Sequence, residues 1–82
     1  MVTIYTKDYC PYCHKAKALL DKLNVEYTDF DVTHDADKLA EASAKSGIHT
    51  VPQIFSNDEF IGGCDDIHRL HKEGKLLDML KG

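Results

Sequence analysis

The sequence is poor in the features of secreted and membrane proteins. Its 82 residues include no tryptophan, two prolines and three cysteines, and no apolar run approaches the ~18 residues that a membrane-spanning helix needs. Three cysteines are too few for the disulfide framework of a small secreted domain, and residues 1–9 lack the apolar segment of a secretory signal. We therefore expect a cytoplasmic protein with no membrane partner; a chain whose organellar transit peptide had been removed would look the same.

Positive charge is also scarce in this sequence. Ten Lys and Arg stand against fourteen Asp and Glu, which gives a net charge of −4. An acidic chain without a basic cluster offers no electrostatic attraction to a phosphate backbone, so nucleic acid is not an expected partner. A chain of this length can build one hydrophobic core but not two. The sequence therefore predicts a single domain over residues 1–82. We expect the protein to be monomeric.

Hydrophobic periodicity and turn residues predict the element order β-α-β-α-β-β-α. The predicted elements are a strand over 2–6, a helix over about 11–23, a strand over 25–32, a helix from Asp35 to Gly47, strands over 53–56 and 59–61, a helix from Asp65 to Gly74, and a last apolar turn or two over 76–80. A parallel β-α-β unit, an antiparallel hairpin and a covering helix give an α/β fold, with a four-stranded mixed sheet and helices on both faces.

Two further details of the fold follow from local sequence. Asn24 and the Asn57-Asp58 pair tolerate positive φ, so they are predicted to end the first helix and to form the hairpin turn. The second helix is expected to bury an apolar stripe made of Ala36, Leu39, Ala40 and Ala44.

Two of the three cysteines form a C-x-x-C motif between a predicted strand and a predicted helix. Cys10 and Cys13 enclose Pro11 and Tyr12, and proline suits the first position of a helix. Cys10 is therefore predicted to be the N-cap, where unpaired amides and the positive end of the helix dipole favour a thiolate. Lys7 adds a positive charge three residues earlier. Cys13 lies one turn further in, so we predict Cys10 as the nucleophile and Cys13 as the resolving thiol.

Other chemistries fit the same residues less well. The stretch from Cys10 to His14 satisfies the C-x-x-C-H pattern of c-type haem attachment, but it lacks an export signal and an evident distal ligand. A zinc site needs a second ligand pair, for which Cys64 with one histidine is a poor substitute, and His68 with His71 lacks a third ligand. We expect no metal site and no organic cofactor. Cys64 is expected to be inert, with regulatory oxidation as the alternative.

Three motifs in order carry a resemblance over essentially the whole chain. They are Thr6-Lys7-x-x-Cys10-Pro11-Tyr12-Cys13, Thr50-Val51-Pro52 and Gly62-Gly63-Cys64-Asp65-Asp66. Together they resemble glutaredoxin, the glutathione-dependent thiol-disulfide oxidoreductase, and the chain looks like a compact bacterial dithiol member of that family. The resemblance implies a thioredoxin-like fold with strand order 2-1-3-4 and a third strand antiparallel to the first.

The resemblance also implies how glutathione, the cosubstrate, would bind. The residues it assigns to this role are Lys7, Tyr12, Thr50, Val51, Pro52, Gly63, Cys64 and Asp65. Pro52 would be a cis proline facing the active cysteine, and the Val51 backbone would pair with the cysteinyl part of the tripeptide. The amides of Cys64 and Asp65 would bind the γ-glutamyl carboxylate, and the Asp65 carboxylate would bind the ammonium group.

The remaining contacts are implied in the same way. Gly62 and Gly63 would allow the backbone to come close to the ligand. Lys7, with Lys38 as a further helper, would face the glycyl carboxylate, and Tyr12 would flank the sulfur.

The implied reaction is reduction of glutathione mixed disulfides by Cys10 and of protein disulfides by Cys10 and Cys13. The expected partners are glutathione and glutathionylated or disulfide-containing proteins. One alternative is a redoxin dedicated to ribonucleotide reductase and supplied by thioredoxin reductase. Another is an iron–sulfur scaffold in which Cys10 from two subunits and two glutathiones hold a cluster, although Pro11, Tyr12 and Cys13 differ from the sequences that do so most readily.

Overall fold

Eight helices and strands follow one another in the computed structural model, which describes residues 1–81. They are β1 (Val2–Thr6), α1 (Pro11–Lys22), β2 (Tyr27–Asp31), α2 (Ala36–Ser46), β3 (Gln53–Ser56), β4 (Glu59–Gly62), α3 (Cys64–Lys72) and α4 (Leu76–Lys81). The predicted order is confirmed, and the last apolar turns form a short helix of their own. None of the described helices combines the length and the apolar character that crossing a bilayer requires.

The four strands form one mixed sheet in the order β2-β1-β3-β4. β1 runs parallel to β2, with Val2 opposite Tyr27, and antiparallel to β3, with Ile4 opposite Ile54. β4 returns antiparallel to β3. The predicted strand order and the antiparallel third strand are therefore confirmed, and β2 is an edge strand, shorter than predicted because its pairing covers only five residues.

The two faces of the sheet have different coverings. On one face, side chains of β1 and β3 pack with α1, α3 and α4 in a cluster that includes Ile4, Leu20 and Ile67. On the other face, Tyr5 stacks on Phe30 with ring centroids 5.5 Å apart, and further aromatic rings continue the layer. Because side chains alternate along a strand, the same short strands supply both layers.

Local turn residues behave largely as predicted. Asn24 has a φ of 57° after the end of α1, and Asn57 and Asp58 have φ values of 49° and 69° in the β3–β4 turn. α2 begins at the N-cap Asp35, whose carboxylate accepts a hydrogen bond from the Lys38 amide at 3.0 Å.

The buried face of α2 differs from the predicted stripe. Three alanines expected to be buried are exposed, namely Ala36, Ala40 and Ala44. The buried residues are Ala42 and Ser43, with Leu39 half-buried, at the i, i+3, i+4 spacing of one helix face. The prediction was wrong because alanine has little preference for a buried or an exposed position, so the alanines do not determine which face of α2 is buried.

Candidate active site

Cys10 is the N-cap of α1, as predicted. Its backbone is extended, with φ of −92° and ψ of 111°, and Pro11 follows at the start of the helix. The sulfur of Cys10 accepts a hydrogen bond from the backbone amide of Cys13 at 3.3 Å. A sulfur in this place faces amides that have no partner within the helix and the positive end of its dipole, which is an arrangement that stabilises negative charge.

The two cysteines of the motif differ in their access to solvent. Both are free thiols, and Cys10 is partly exposed whereas Cys13 is fully buried. Burial, followed by the hydrogen bond with Cys10, raises the pKa of the Cys13 thiol to about 12. Cys13 is therefore protonated at neutral pH, and Cys10 is the sulfur of the pair that an incoming disulfide can reach.

The loop before β3 lies opposite Cys10. The Cys10 sulfur is 3.9 Å from the carbonyl oxygen of Val51, and the Val51–Pro52 peptide bond is cis, as the resemblance implied. Gly63 comes close to the same segment, because a Cβ at this position would be 3.3 Å from the Pro52 carbonyl oxygen. Two chain segments thus meet beside the active cysteine with little side-chain bulk between them.

A cleft of about 250 Å³ opens beside these segments. Its lining residues are Tyr12, Ile48, Thr50, Val51, Pro52, Gly63, Cys64, Asp65 and Asp66. Seven of the eight residues that the sequence assigned to glutathione contribute to this lining, and Lys7 is the exception. The structure therefore brings together parts of α1, the loop before β3 and the start of α3.

The N-terminus of α3 forms one wall of the cleft. α3 begins at Cys64, one residue earlier than predicted, with Gly63 as its N-cap. The Gly63 amide donates to the Asp66 carboxylate at 3.0 Å, whereas the amides of Cys64 and Asp65 belong to the first helical turn and have no intrahelical acceptor. Amides and an exposed carboxylate side by side can bind a carboxylate and an ammonium group of one ligand.

The two lysines proposed for the glycyl carboxylate lie outside this lining. The ammonium group of Lys7 is 5.9 Å from the centroid of the exposed Tyr9 ring, and that of Lys38 is 4.2 Å from the Phe30 ring. Both are cation–π contacts, which hold the positive charges over aromatic faces.

Sequence reasoning missed two residues of the lining. Asp66 was expected only to open α3, although its position three residues after Gly63 is the spacing of a capping carboxylate and could have been interpreted as one. Ile48 carries no local signal, since it reaches the cleft through the path of the loop between α2 and β3.

The third cysteine, which also lines the cleft, contacts a histidine of its own helix. Burial and the neighbouring Asp65 raise the pKa of the Cys64 thiol, and its sulfur lies 3.5 Å from Nδ1 of His68. His14 contacts the Asp8 carbonyl oxygen through Nε2 at 3.0 Å. Over residues 1–81, no cluster of three or more His, Cys, Asp or Glu side chains has an arrangement that could hold a metal ion.

A cysteine at a helix N-terminus, a buried partner thiol one turn later and a mixed sheet of this order define a thiol-disulfide oxidoreductase with a thioredoxin-like fold. The sequence profile of the family described as Glutaredoxin matches residues 2–61. The chain is 48% identical over 80 residues to Glutaredoxin 3 of Escherichia coli (strain K12), an alignment that covers 98% of this chain and 96% of the relative. The chain belongs to the glutaredoxin family.

Other relatives and solved structures agree with this assignment. Glutaredoxin of Pseudomonas aeruginosa is 43% identical over 79 residues, covering 96% of this chain and 94% of the relative. The solution structure of glutaredoxin from Brucella melitensis is similar with a TM-score of 0.85 at 45% identity, covering 98% of this chain and 87% of that one. The crystal structure of the buckwheat glutaredoxin–glutathione complex has a TM-score of 0.87 at 34% identity, covering 98% and 76%.

Proposed function

We propose that this protein reduces disulfides with glutathione as its cosubstrate. The observation that carries the proposal is the cleft of about 250 Å³ that joins the Val51 backbone to the N-terminus of α3 beside Cys10. A tripeptide with a thiol, two carboxylates and an ammonium group matches these features. The similar buckwheat glutaredoxin was solved as a complex with glutathione, which supports the same ligand here.

Glutathione would bind largely through main-chain groups. The Val51 backbone would pair with the cysteinyl residue as an added strand, next to Pro52. The amides of Cys64 and Asp65 would take the γ-glutamyl carboxylate, and the Asp65 carboxylate would take the ammonium group. Tyr12 would flank the sulfur from α1. These contacts leave the glutathione sulfur beside Cys10.

The glycyl carboxylate of glutathione would pair with the ammonium group of Lys7, whose side chain is long and flexible. Lys7 would have to leave the Tyr9 ring to reach it, because its ammonium group lies over that ring in the unliganded protein. A cation–π contact at an exposed ring contributes about 0.5–1 kcal/mol, which a direct carboxylate–ammonium pair can replace. Lys38 is a weaker candidate for the same contact, since it lies closer to its own ring, 4.2 Å above Phe30.

The first proposed reaction needs only Cys10. Its thiolate attacks the glutathione sulfur of a mixed disulfide, the S–S bond breaks, and the other partner leaves as a thiolate that takes up a proton. A second glutathione, as thiolate, then attacks the sulfur of the glutathione bound to Cys10. Cys10 leaves as a thiolate and glutathione disulfide is released, which a separate NADPH-dependent enzyme reduces.

The second proposed reaction needs both cysteines. Cys10 attacks a protein disulfide and one substrate sulfur leaves as a thiolate. Cys13 then gives up its proton and attacks the Cys10 sulfur, which releases the second substrate thiol and leaves a Cys10–Cys13 disulfide. Because burial raises the Cys13 pKa to about 12, Cys13 enters this step as a thiol, and the proton that it loses on attack passes to a departing substrate thiolate.

The proposed partners follow from this chemistry. They are glutathione and proteins that carry a glutathione adduct or a disulfide, and ribonucleotide reductase is one candidate of the second kind. A reducing compartment rich in glutathione, such as the cytoplasm, is where these reactions run toward reduction, and we propose that location for the protein. We also propose that it works as a monomer.

The experiment is a coupled assay with a small glutathione mixed disulfide, glutathione, glutathione reductase and NADPH. We expect NADPH consumption well above the uncatalysed rate, with saturation in the mixed disulfide. A parallel assay replaces glutathione and glutathione reductase by thioredoxin reductase, which tests for a redoxin dedicated to ribonucleotide reductase. Turnover in the second assay alone would contradict the proposed function.

A further inference from the structure

A buried glutamine lies directly behind the cleft. Gln53 is the first residue of β3, follows Pro52, and has no solvent-exposed surface. Its side-chain nitrogen donates hydrogen bonds to the carbonyl oxygens of Ile48 at 3.2 Å and Thr50 at 3.0 Å. Both N–H groups of the amide are therefore used on the loop that leads into Val51.

The hydrogen bonds of the Gln53 side chain serve this loop, and its amide oxygen gains nothing from the described part of the core. Within residues 1–81, the amide oxygen of Gln53 has no hydrogen-bond partner. A buried acceptor without a partner is unfavourable, and an apolar side chain of the same size would avoid it. An apolar side chain could not supply the two N–H donors that Gln53 directs at the carbonyl oxygens of Ile48 and Thr50.

The carbonyl of Thr50 depends on this side chain more than that of Ile48 does. Ile48 is also held by Ser46, whose hydroxyl donates a hydrogen bond to the Ile48 carbonyl at 3.3 Å and accepts one from the Ile48 amide at 3.2 Å. In the described part of the chain, Gln53 is the one side chain that donates to the Thr50 carbonyl. Ile48 and Thr50 both line the cleft, and Val51 comes next.

We propose that Gln53 is a positioning residue for the cosubstrate: it holds the backbone of residues 48–51 in the conformation in which Val51 faces the cleft. This inference rests on the proposed function, in which glutathione is recognised there through the main chain. A main-chain contact cannot adjust to the ligand as a side chain can, so the path of the loop affects the affinity. Gln53 acts through the loop and does not line the cleft itself.

The test compares three variants in the glutathione-coupled assay. Gln53→Met keeps the size and removes both donors, and Gln53→Asn keeps an amide on a stem one carbon shorter. Ser56→Ala is the matched control, because Ser56 is a buried polar residue at the far end of β3 whose hydroxyl has no partner among the described residues. Thermal unfolding first establishes that each variant is folded.

We expect Gln53→Met to raise KM for the mixed disulfide by about 3- to 10-fold while kcat changes less than about twofold, because a binding contact is weakened in ground and transition state alike. Gln53→Asn should have a KM between those of the unmodified protein and Gln53→Met. If Gln53→Met does not fold, the KM of Gln53→Asn is the test. Ser56→Ala should keep the KM of the unmodified protein. The rate at which iodoacetamide alkylates Cys10 should be unchanged in all three.

A second measurement needs no glutathione. Backbone order parameters from 15N relaxation of the free, reduced protein should be lower at residues 49–51 in Gln53→Met than in the unmodified protein or Ser56→Ala. An unmodified protein without glutathione-dependent turnover would overturn the proposed function and this inference together. Normal turnover with an unchanged KM in folded Gln53→Met, or with unchanged order parameters at residues 49–51, would overturn the role of Gln53 alone.

Discussion

The sulfur of Cys10 lies 3.9 Å from the carbonyl oxygen of Val51, although 41 residues separate them in sequence. This contact joins the N-terminus of α1 to the loop before β3, and thereby the reactive sulfur to the cleft. A ligand whose backbone pairs with Val51 would lie beside Cys10, held at that position by main-chain contacts. In the proposed function, this relationship would let one small protein act on many glutathione adducts.

Cys10→Ser should reduce activity on every disulfide to the uncatalysed rate. Cys13 and Cys64 cannot replace it, because both are buried and both have a raised pKa. The companion measurement is mass mapping after brief exposure of the reduced protein to iodoacetamide near neutral pH. Cys10 should be labelled first, and earlier labelling of Cys13 or Cys64 would refute the assignment.

Asp65→Ala should weaken binding of glutathionylated substrates with little effect on Cys10 alkylation. Loss of a charge-assisted hydrogen bond at an exposed site costs about 1–2 kcal/mol, or about 5- to 30-fold in KM. Asp37→Ala is the control, since Asp37 is an exposed acidic residue in the first turn of a different helix. An unchanged KM in Asp65→Ala would remove Asp65 from the site.

Gly63→Ala should raise KM by about 2- to 5-fold, because the added Cβ would be 3.3 Å from the Pro52 carbonyl oxygen and would push the two walls of the cleft apart. Gly74→Ala is the matched control: it faces open space, and its φ of 74° makes the substitution destabilising for a different reason. Steady-state kinetics and thermal unfolding of both variants separate the effects. A KM that rises equally in both would indicate general loosening.

The free energy of unfolding of the reduced protein should fall as pH rises above about 9. Burial raises the pKa of Cys13 from 9.0 to about 12, and burial with the Asp21 hydrogen bond raises that of Tyr27 from 10.0 to about 12. As pH rises, the unfolded chain loses these protons before the folded protein does. The stabilisation is therefore fully present below the unfolded pKa values and is lost as pH approaches the higher pKa values of the folded protein.

Urea unfolding with a reductant at about pH 8 and about pH 10.5 measures this dependence. Cys13→Ser should show a shallower fall than the unmodified protein, because serine does not titrate in this range. Tyr27→Phe should also show a shallower fall. An equal fall in all three proteins would mean that neither group contributes.

The sequence predicted most of the features that depend on neighbouring residues. Pro11 places Cys10 at an N-cap because the proline ring already has a helical φ, and Asn57 with Asp58 form a turn because both tolerate positive φ. The burial of α2 was predicted wrongly, since alanines such as Ala40 give no strong preference for either side.

The cleft was predictable only through the resemblance. No local rule brings Val51 beside Cys10, because the contact depends on how β1 and β3 pair. Lys7 is near Cys10 in sequence, yet its ammonium group lies over the Tyr9 ring and outside the cleft lining. Gln53 gave no signal at all, since its role appears only once the loop above it has folded.

The central claim is tested most directly by Cys13→Ser, measured in parallel on a glutathionylated peptide and on a protein disulfide at one fixed glutathione concentration. Attack on the peptide needs only Cys10 and a second glutathione, whereas rapid release of the protein needs the second thiol. We expect the variant to keep most or all of its activity on the peptide, or to gain some because the Cys10–Cys13 disulfide can no longer form, and to lose most of its activity on the protein disulfide. Equal loss on both substrates would contradict the account.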